Sequence, residues 1–522
     1  MATTMGISND DFMAGRDVFQ RNGSTGTVLN LGRMQAAPGG VIALLAPEVR
    51  NEGVLIAQAG TVAMASGEAV TLHFGATSGL LDITVTPSQV RALVENRHAV
   101  LAEGGQIILA ARAADGLMAS VIHSGELNAS SIVEKGGRVF IEARDITLAA
   151  GSRIEATGAT GGGTVLVGGQ AKGAGDMYQA TTVTMAEGAS IDASATSKGD
   201  GGTVVLWSNI HDASAKTTAQ GQIAARGGAQ GGNGGFVETS GASLKVDGIR
   251  VDTSAAAGKG GVTGEWLLDP YDLTVDASAA STISTNLGTS NVTLLTTASS
   301  ASGPGVQNAS GSGDITVNSN ISWASGNRLT LNAYRNVNIN AAVTASGAGK
   351  VTIITGDTAG TGVSGSTTGD YSFGLGPSGF AGSLNFTGGS ASGATLNIAT
   401  GGGNAGAAAY TLLWALPGTA AGTTLAAGNY ALATSFTDSV VRTNGIWTPG
   451  ANAINFTGLG HTIGGLNISN TVTTGGGVFN AITGSTIRDI GLTTGTVTGS
   501  GGNAYFTGAL VGSASTSTIK NC

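Results

Sequence analysis

Short runs of alternating polar and apolar residues, repeated after pairs of glycines, predict a chain built from β-strands. After Gly202, for example, the chain reads Thr203-Val204-Val205-Leu206. Successive side chains of a strand point to opposite faces, so we expect Val204 and Leu206 to face a core and Thr203 to face outward. An apolar second and fourth position also follow four other pairs, Gly39-Gly40, Gly104-Gly105, Gly136-Gly137 and Gly162-Gly163.

A second strand unit lies between these repeats and recurs in three copies. Its first copy is Ile146-Thr147-Leu148 followed by Ile154-Glu155-Ala156, and the other copies begin at Val183 and Leu244. The glycine pairs are irregularly spaced, which a solenoid tolerates because insertions leave the stack at the turns. The repetition therefore predicts an all-β solenoid. An ordinary β-sandwich is the alternative, although sandwiches show evenly spaced strands without self-similar copies.

Helical periodicity is weak along the chain, and only Ser88–Asn96 and Ala110–His123 are expected to hold a short helical turn or a loop. In the second half of the chain, strands are predicted at Asp314–Val317, Leu329–Leu331, Val337–Ile339 and Val351–Ile354. Asparagine and threonine are dense in this part. In stacked rungs, asparagine amides can hydrogen-bond from one rung to the next, so polar residues can take positions that charges cannot.

Charge is unevenly distributed about the stretch Trp266–Val275. Only 12 of the 56 Asp, Glu, Lys and Arg residues lie from Asp276 onward. Pro270 cannot donate a ladder hydrogen bond, and Leu273-Thr274-Val275 starts a new strand, so we interpret the stretch as a junction. The predicted segments are a β-helix domain at 1–130, regular repeats at 131–265, a junction with an Asn/Thr-rich continuation at 266–355, a Gly/Ser/Thr-rich connection at 356–409 and a different repeat at 410–522.

Composition narrows the class of protein further. Glycine accounts for 88 of 522 residues, but 41% of the chain is apolar and there is no Gly-X-Y period, which excludes collagen and disfavours disorder. A net charge of −8 disfavours nucleic-acid binding, and no apolar run is long enough to span a bilayer. The lone cysteine, Cys522, allows no intrachain disulfide. No secretory signal opens the chain, which read alone indicates the cytoplasm.

Catalysis by a β-helix would need carboxylates clustered on one outer face, or carboxylates that bind Ca²⁺ beside a basic residue. Glu155, Asp192 and Asp252 occupy equivalent repeat positions, where they can stack into an acidic column. We prefer a solvated outer face as the interpretation. Asp269 and Asp272 are expected to cap a turn around Pro270. The remaining candidates are the carboxylates Asp145 and Asp247 and five histidines that lack metal-ligand spacing, His73, His98, His123, His211 and His461.

Three stretches resemble secreted exoproteins of the filamentous haemagglutinin family. They are Ile7-Ser8-Asn9-Asp10-Asp11-Phe12, the strand at Gly39–Leu45, and Trp266-Leu267-Leu268-Asp269-Pro270. The first half is similar to the latter part of the family's two-partner secretion domain and the β-helix after it. Gly458-Leu459-Gly460-His461-Thr462-Ile463, with Gly508–Gly512, resembles the GLUG repeat found downstream in such proteins.

The resemblance implies a right-handed parallel β-helix, a secreted or cell-surface location, and a role in adhesion. We therefore expect a structural and adhesive rod segment without catalysis, cofactor or metal. The resemblance also implies an outer-membrane two-partner secretion transporter as a partner, with a host or neighbouring-cell receptor or glycan as the target. The family's Asn-Pro-Asn motif and signal peptide lie upstream of the matching part, so we expect an internal fragment. A polysaccharide-degrading β-helical enzyme and the stalk of a contact-dependent toxin are the alternative functions.

Overall fold

A computed structural model describes most of the chain. The described residues are 1–75, 79–270, 272–296, 312–358, 368–401, 406–416, 423–443, 445–449, 453–471, 475–500 and 506–522. Contacts divide the chain into two compact units. Unit 1 comprises Met1–Tyr271 and Thr289–Ser312, and unit 2 comprises Asp272–Gly288 and Gly313–Cys522.

The predicted all-β solenoid is confirmed, because unit 1 is a parallel β-helix with three faces. Each turn of the chain contributes one strand to each face, and neighbouring rungs pair in parallel register, as in Val165↔Val204. The first face has strands Ala2–Thr3, Val41–Leu45, Thr61–Ser66, Gln106–Ala111, Arg138–Glu142, Thr164–Val167, Thr203–Trp207, Phe236–Ser240, Glu265–Asp269 and Asn291–Leu295. The second face has Thr27–Asn30, Glu48–Asn51, Ala92–Asn96, Ala119–His123, Asp145–Leu148, Thr182–Met185, Lys216–Ala219 and Ser243–Lys245. The third face has Arg33–Gln35, Val54–Ile56, Ala99–Leu101, Glu126–Asn128, Arg153–Glu155, Ser190–Asp192, Gln222–Ala224 and Arg250–Asp252.

A glycine directly precedes eight of the ten first-face strands, which explains the glycine pairs. A Cβ on Gly202 would lie closer than 3.0 Å to the carbonyl oxygen of Gly163 in the rung before it, so the corner is too tight for any side chain. The same backbone approach recurs along one column. The column starts at Gly40, and each later member approaches the carbonyl oxygen of the member before it: Gly60, Gly105, Gly137, Gly163, Gly202, Gly235 and Gly264. Gly60 and Gly264 are outside the glycine pairs, which is why the sequence pattern missed the strand Thr61–Ser66.

Val204 and Leu206 are fully buried and Thr203 is half-buried, as expected. The residue between the two core positions is buried as well, since Val205 is 0% exposed and Ile108 is 3% exposed. Additional layers therefore cover the outer side of the first face. Over the early rungs the layer is an antiparallel sheet of Gly6–Ile7, Val18–Gln20, Ala69–Phe74 and Leu80–Thr86. Over Leu166, Val205 and Trp207 it is the segment 168–179, called the strap here, which includes the 3₁₀ turn Ala171–Gly173.

The expectation of a helical turn at Ser88–Asn96 or Ala110–His123 is wrong where strands occupy Ala92–Asn96 and Ala119–His123. Among described residues the α-helices are instead Asn9–Met13 and Ala277–Asn286. The second begins at Asp276, whose carboxylate accepts the Ala279 N–H at 2.9 Å. It buries Ala280 and Ile283. Its run of small residues has little amphipathic pattern, so its helical state depends on what it packs against. Among described residues, no helix has both the length and the apolar character needed to cross a membrane.

Unit 2 contains two shorter stacks of parallel rungs. In the first stack the helix Ala277–Asn286 packs on the edge strands Leu273–Val275 and Ile321–Trp323. The other strands of that stack are Ile315–Val317, Arg328–Asn332, Val337–Ile339, Ala342–Ala345, Lys350–Ile354, Tyr371–Ser372, Ser383–Phe386 and Thr395–Ala399, with a hairpin of Leu375–Gly376 and Gly379–Phe380. The predicted strands of this region are thus present. Asn340 Nδ2 donates to Asn318 Oδ1 at 3.0 Å from one rung to the next.

The second stack of unit 2 contains the GLUG-like segment. It joins the first stack where Thr395–Ala399 pairs antiparallel with Ala408–Leu413. Its core is aromatic, with the rings of Trp447, Phe456 and Phe479 in mutual contact. Its remaining strands are Thr423–Thr424, Gly428–Leu432, Phe436–Thr437, Val441–Thr443, Trp447–Thr448, Ile454–Gly464, Leu466–Asn470, Phe479–Thr483, Thr486–Leu492, Gly495–Gly499, Val511–Ser515 and Thr518–Lys520.

Candidate functional site

The predicted acidic column is interrupted. Glu155 and Asp192 are direct neighbours on the third face, but Ala224 separates Asp192 from Asp252. Arg226 fills the gap, with guanidinium nitrogens 3.5 Å from Asp192 and 3.9 Å from Asp252. The column is thus a short carboxylate pair next to a cation, which is an ordinary arrangement on a solvated face.

The other candidate carboxylates lie elsewhere. Asp145 is on the second face beside Arg144 at 3.1 Å, and Asp247 is 3.5 Å from Lys245. Asp272 accepts the N–H groups of Gly313 (2.7 Å) and Asp314 (3.0 Å), which lie far along the chain from the turn around Pro270. Asp269 lies buried at the end of a first-face strand.

The histidines are dispersed as well. His123 is buried, with Nδ1 3.2 Å from Asn96 Nδ2 and Nε2 3.1 Å from the Arg153 carbonyl oxygen, and burial lowers its pKa to about 4. His461 is also buried and lies 2.8 Å from the Leu384 carbonyl oxygen. His73 and His98 are exposed, and His211 is largely buried. Within the described ranges, no group of three or more His, Cys, Asp or Glu side chains is placed to hold a metal ion.

His123 ends a buried ladder of asparagines that the sequence analysis missed in unit 1. Asn30 Nδ2 donates to Asn51 Oδ1 at 2.8 Å, and Asn51 Nδ2 donates to Asn96 Oδ1 at 2.7 Å. The three amides occupy equivalent positions at the end of successive second-face strands. The ladder satisfies buried polar groups and needs no ligand to do so.

The strap is held by a buried carboxylate on the outer side of the first face of unit 1. Both carboxylate oxygens of Glu238 accept the Lys172 N–H at 3.1 Å, and Ser240 Oγ donates to Oε1 at 2.9 Å. Glu238 is fully buried, and burial together with the nearby charge of Asp269 raises its pKa to about 7. The strap approaches Trp207 so closely that a Cβ on Gly169 or Gly173 would collide with the indole ring.

A concavity lined by described residues lies in unit 2. It has a volume of about 500 Å³. One wall consists of outward side chains on neighbouring parallel strands, with Asn455, Thr486 and Thr518 in one row and Thr457, Arg488 and Lys520 in the next. The remaining lining includes Asp370, Tyr371, Thr400 and Tyr410. The lining is therefore rich in hydroxyl groups and contains half-buried aromatic surface at Tyr410.

Arg488 organises this cavity. Nη1 donates to Asp370 at 2.6 Å, Nη2 donates to the Tyr371 carbonyl oxygen at 2.6 Å, and Nε donates to buried Asp489. The guanidinium carbon lies 3.7 Å from the centroid of the Tyr371 ring, a cation–π contact. Lys520 donates to the second oxygen of Asp370 at 2.7 Å. The charged groups thus bind one another, and the positive and negative charges balance.

These contacts determine which groups of the cavity are ionised. Burial on its own would raise the pKa of Asp370, but Arg488 and Lys520 lower it below its ordinary value. Burial would likewise lower the pKa of Arg488, but Tyr371, Asp489 and Asp370 raise it. Near neutral pH the cavity therefore contains fixed ion pairs with a ring of hydroxyl and amide groups around them.

The comparisons with known proteins leave the site unassigned. No family model matches the chain, and no curated protein matches it. Among solved structures, the chain is similar to the crystal structure of the HMW1 secretion domain from Haemophilus influenzae. The sequence identity is 24%, the match covers 51% of this chain and 73% of that chain, and the TM-score is 0.37. A TM-score this low transfers neither a site nor a function.

Sequence reasoning missed both the strap and the cavity. A signal for the first was the apolar third position of several first-face strands, such as Val205 and Ile108, which indicates an apolar outer side without showing which segment covers it. The second had no sequence signal, because Asp370 and Arg488 are far apart in the chain and belong to different stacks of unit 2.

Proposed function

We propose that the chain is a structural and adhesive segment of a large secreted or surface-exposed bacterial exoprotein, without catalysis of its own. The observation that supports this most is the stack of unit 1, whose parallel rungs remain in register through every face. Such a scaffold holds its turns and outer layers in fixed positions, which suits the display of a binding surface.

The charges of unit 1 are consistent with a scaffold. On the outer side of its second face, Arg50 is 2.5 Å from Glu48 and 3.4 Å from Glu95, and Glu95 is also 2.8 Å from Arg97. The Arg50–Glu95 pair links two neighbouring rungs, and the other two pairs each lie within one rung. The resemblance to filamentous haemagglutinin-like exoproteins supports export through an outer-membrane partner transporter.

Adhesion can be tested by displaying residues 1–522 on a non-adherent bacterium through an unrelated outer-membrane anchor. We expect several-fold more bacteria to bind epithelial cells or neighbouring bacteria than when an unrelated β-helix is displayed at equal density. Equal binding by the two displayed proteins on every surface tried would contradict the proposal.

The enzyme alternative has one observation in its favour. Burial raises the pKa of Glu155, with Glu126 and Asp192 adding to the effect, as a general acid requires. The pairing of Asp192 with Arg226 argues against it. Incubating the purified chain with pectate, alginate and chitin, with and without Ca²⁺, decides between the two. Cleavage that is abolished by Asp192→Asn would establish the enzyme.

A further inference from the structure

We propose that the cavity of unit 2 binds a neutral carbohydrate, one or two sugar units of a cell-surface glycan. The proposal deepens the adhesive function above and rests on it for the source of the ligand. The cavity volume of about 500 Å³ lies within the range of small-molecule sites.

The uncharged lining matches a polyhydroxylated ligand. Asn455, Thr486 and Thr518 lie side by side on adjacent strands, and Asn455 and Thr518 are exposed. Adjacent strands are about 4.8 Å apart, so these side chains present donors and acceptors in a regular row. Hydroxyl groups both donate and accept, as sugar hydroxyls do.

Tyr410 adds the aromatic surface that a sugar requires. It is half-buried on the strand Ala408–Leu413, which belongs to the same sheet as the strand of Asn455 and also lines the cavity. A ring with a phenolic hydroxyl group offers an apolar face to the C–H groups of a sugar and a polar edge to its hydroxyls.

The ion pairs disfavour an anionic ligand. All three guanidinium nitrogens of Arg488 already donate to acceptors of unit 2, and Lys520 donates to Asp370. A phosphate, sulfate or sialic acid would compete with Asp370 for these donors and would place a second negative charge beside it. A neutral ligand avoids both costs.

The binding test uses the full chain and saturation-transfer NMR. The neutral probes are the methyl glycosides of glucose, galactose and N-acetylglucosamine, and the anionic probes are sialyllactose and inorganic phosphate. We expect transfer to at least one neutral glycoside. The proposal would be overturned if only the anionic probes bind, or if none of the neutral glycosides binds.

Site-directed variants locate the binding. Thr518→Trp fills the cavity from an exposed position and should weaken affinity for the bound glycoside at least about tenfold, or about 1.4 kcal/mol. Thr498→Trp is the matched control, because Thr498 is an exposed threonine of the same stack on a strand outside the cavity. Tyr410→Phe is the second variant, to be used if Thr518→Trp fails to fold. It keeps the ring but removes the hydroxyl group, and it should weaken affinity for the glycoside about fivefold.

The outcomes separate this proposal from the adhesive function. Suppose that wild type and Thr518→Trp bind cells equally well and also bind the glycoside with the same affinity. The adhesive function then stands and the cavity assignment is wrong. If glycosides bind the cavity and the displayed chain adheres to nothing, the carbohydrate site stands and the adhesive function is wrong.

Discussion

Unit 1 and unit 2 reach the same parallel β-architecture by different means. In unit 1 the rungs are aligned by backbone, since a column of glycines brings each corner against the previous one. Its buried polar groups form rung-to-rung ladders, such as Asn30, Asn51 and Asn96. Unit 2 is stabilised by particular side chains, namely the aromatic core around Trp447 and the buried ion pairs of Arg488. A repeated backbone contact suits a long scaffold, whereas a unique side-chain cluster can shape a single cavity.

The largest effect is expected from Gly202→Ala in unit 1. The new Cβ would meet the Gly163 carbonyl oxygen, and because the obstacle is backbone, no rotamer change can relieve it. We expect a loss of about 4–5 kcal/mol in the free energy of unfolding, measured by urea denaturation.

The matched control for Gly202→Ala is Gly32→Ala, where a Cβ meets nothing within 4 Å. It should change the free energy by less than about 0.5 kcal/mol. Hydrogen exchange should rise in the strands of unit 1 alone for Gly202→Ala. Similar stability of the two variants would show that backbone contact does not align the rungs.

The next largest effect is expected from Arg488→Met in unit 2. The change leaves Asp489 buried without its cation and Asp370 with Lys520 alone, so we expect a loss of about 3–4 kcal/mol. Arg335→Met is the control, because Arg335 pairs with Asp314 at the surface and should cost at most about 1 kcal/mol. Faster hydrogen exchange throughout unit 1 in Arg488→Met would contradict the assignment of this cluster to unit 2.

The smallest effect is a pH dependence that unit 1 should show through Glu238. Its folded pKa of about 7 lies above the ordinary value of 4.5, so the folded protein holds this proton more tightly than the unfolded chain does. Stability should therefore fall by about 2–3 kcal/mol as the pH rises from about 4.5 through 7.

Glu238→Gln has no proton to lose and serves as the comparison for that effect. Between pH 5 and pH 8 the free energy of unfolding of wild type should fall relative to that of the variant. A constant difference across this range would mean that Glu238 keeps an ordinary pKa. The strap, which Glu238 binds through Lys172, should exchange its amide hydrogens faster at the higher pH in wild type only.

Much of the fold could be predicted because short-range pattern determines it. The alternation at Thr203-Val204-Val205-Leu206 and the recurring glycines predict several strands and core residues on each face of unit 1. The acidic column could not be judged in the same way. Glu155, Asp192 and Asp252 have equivalent positions, but Ala224 and Arg226 between them depend on exact register. Likewise, the prediction of a helical turn or a loop at Ser88–Asn96 and Ala110–His123 was wrong over Ala92–Asn96 and Ala119–His123, because parallel pairing overrides weak local preference.

The sequence by itself determined the all-β class and the rung pattern, because both follow from periodicity and from the conformational freedom of glycine. It also determined the asparagine-rich character of the second half, which is a matter of composition. Only the tertiary structure decided that the outer side of the first face is covered, that Ala277–Asn286 is a helix, and that Asp370, Arg488 and Lys520 meet. The physical reason is distance along the chain. Alternation and turn chemistry act between near neighbours, whereas a buried ion pair or a packed layer depends on segments that only the completed fold brings together.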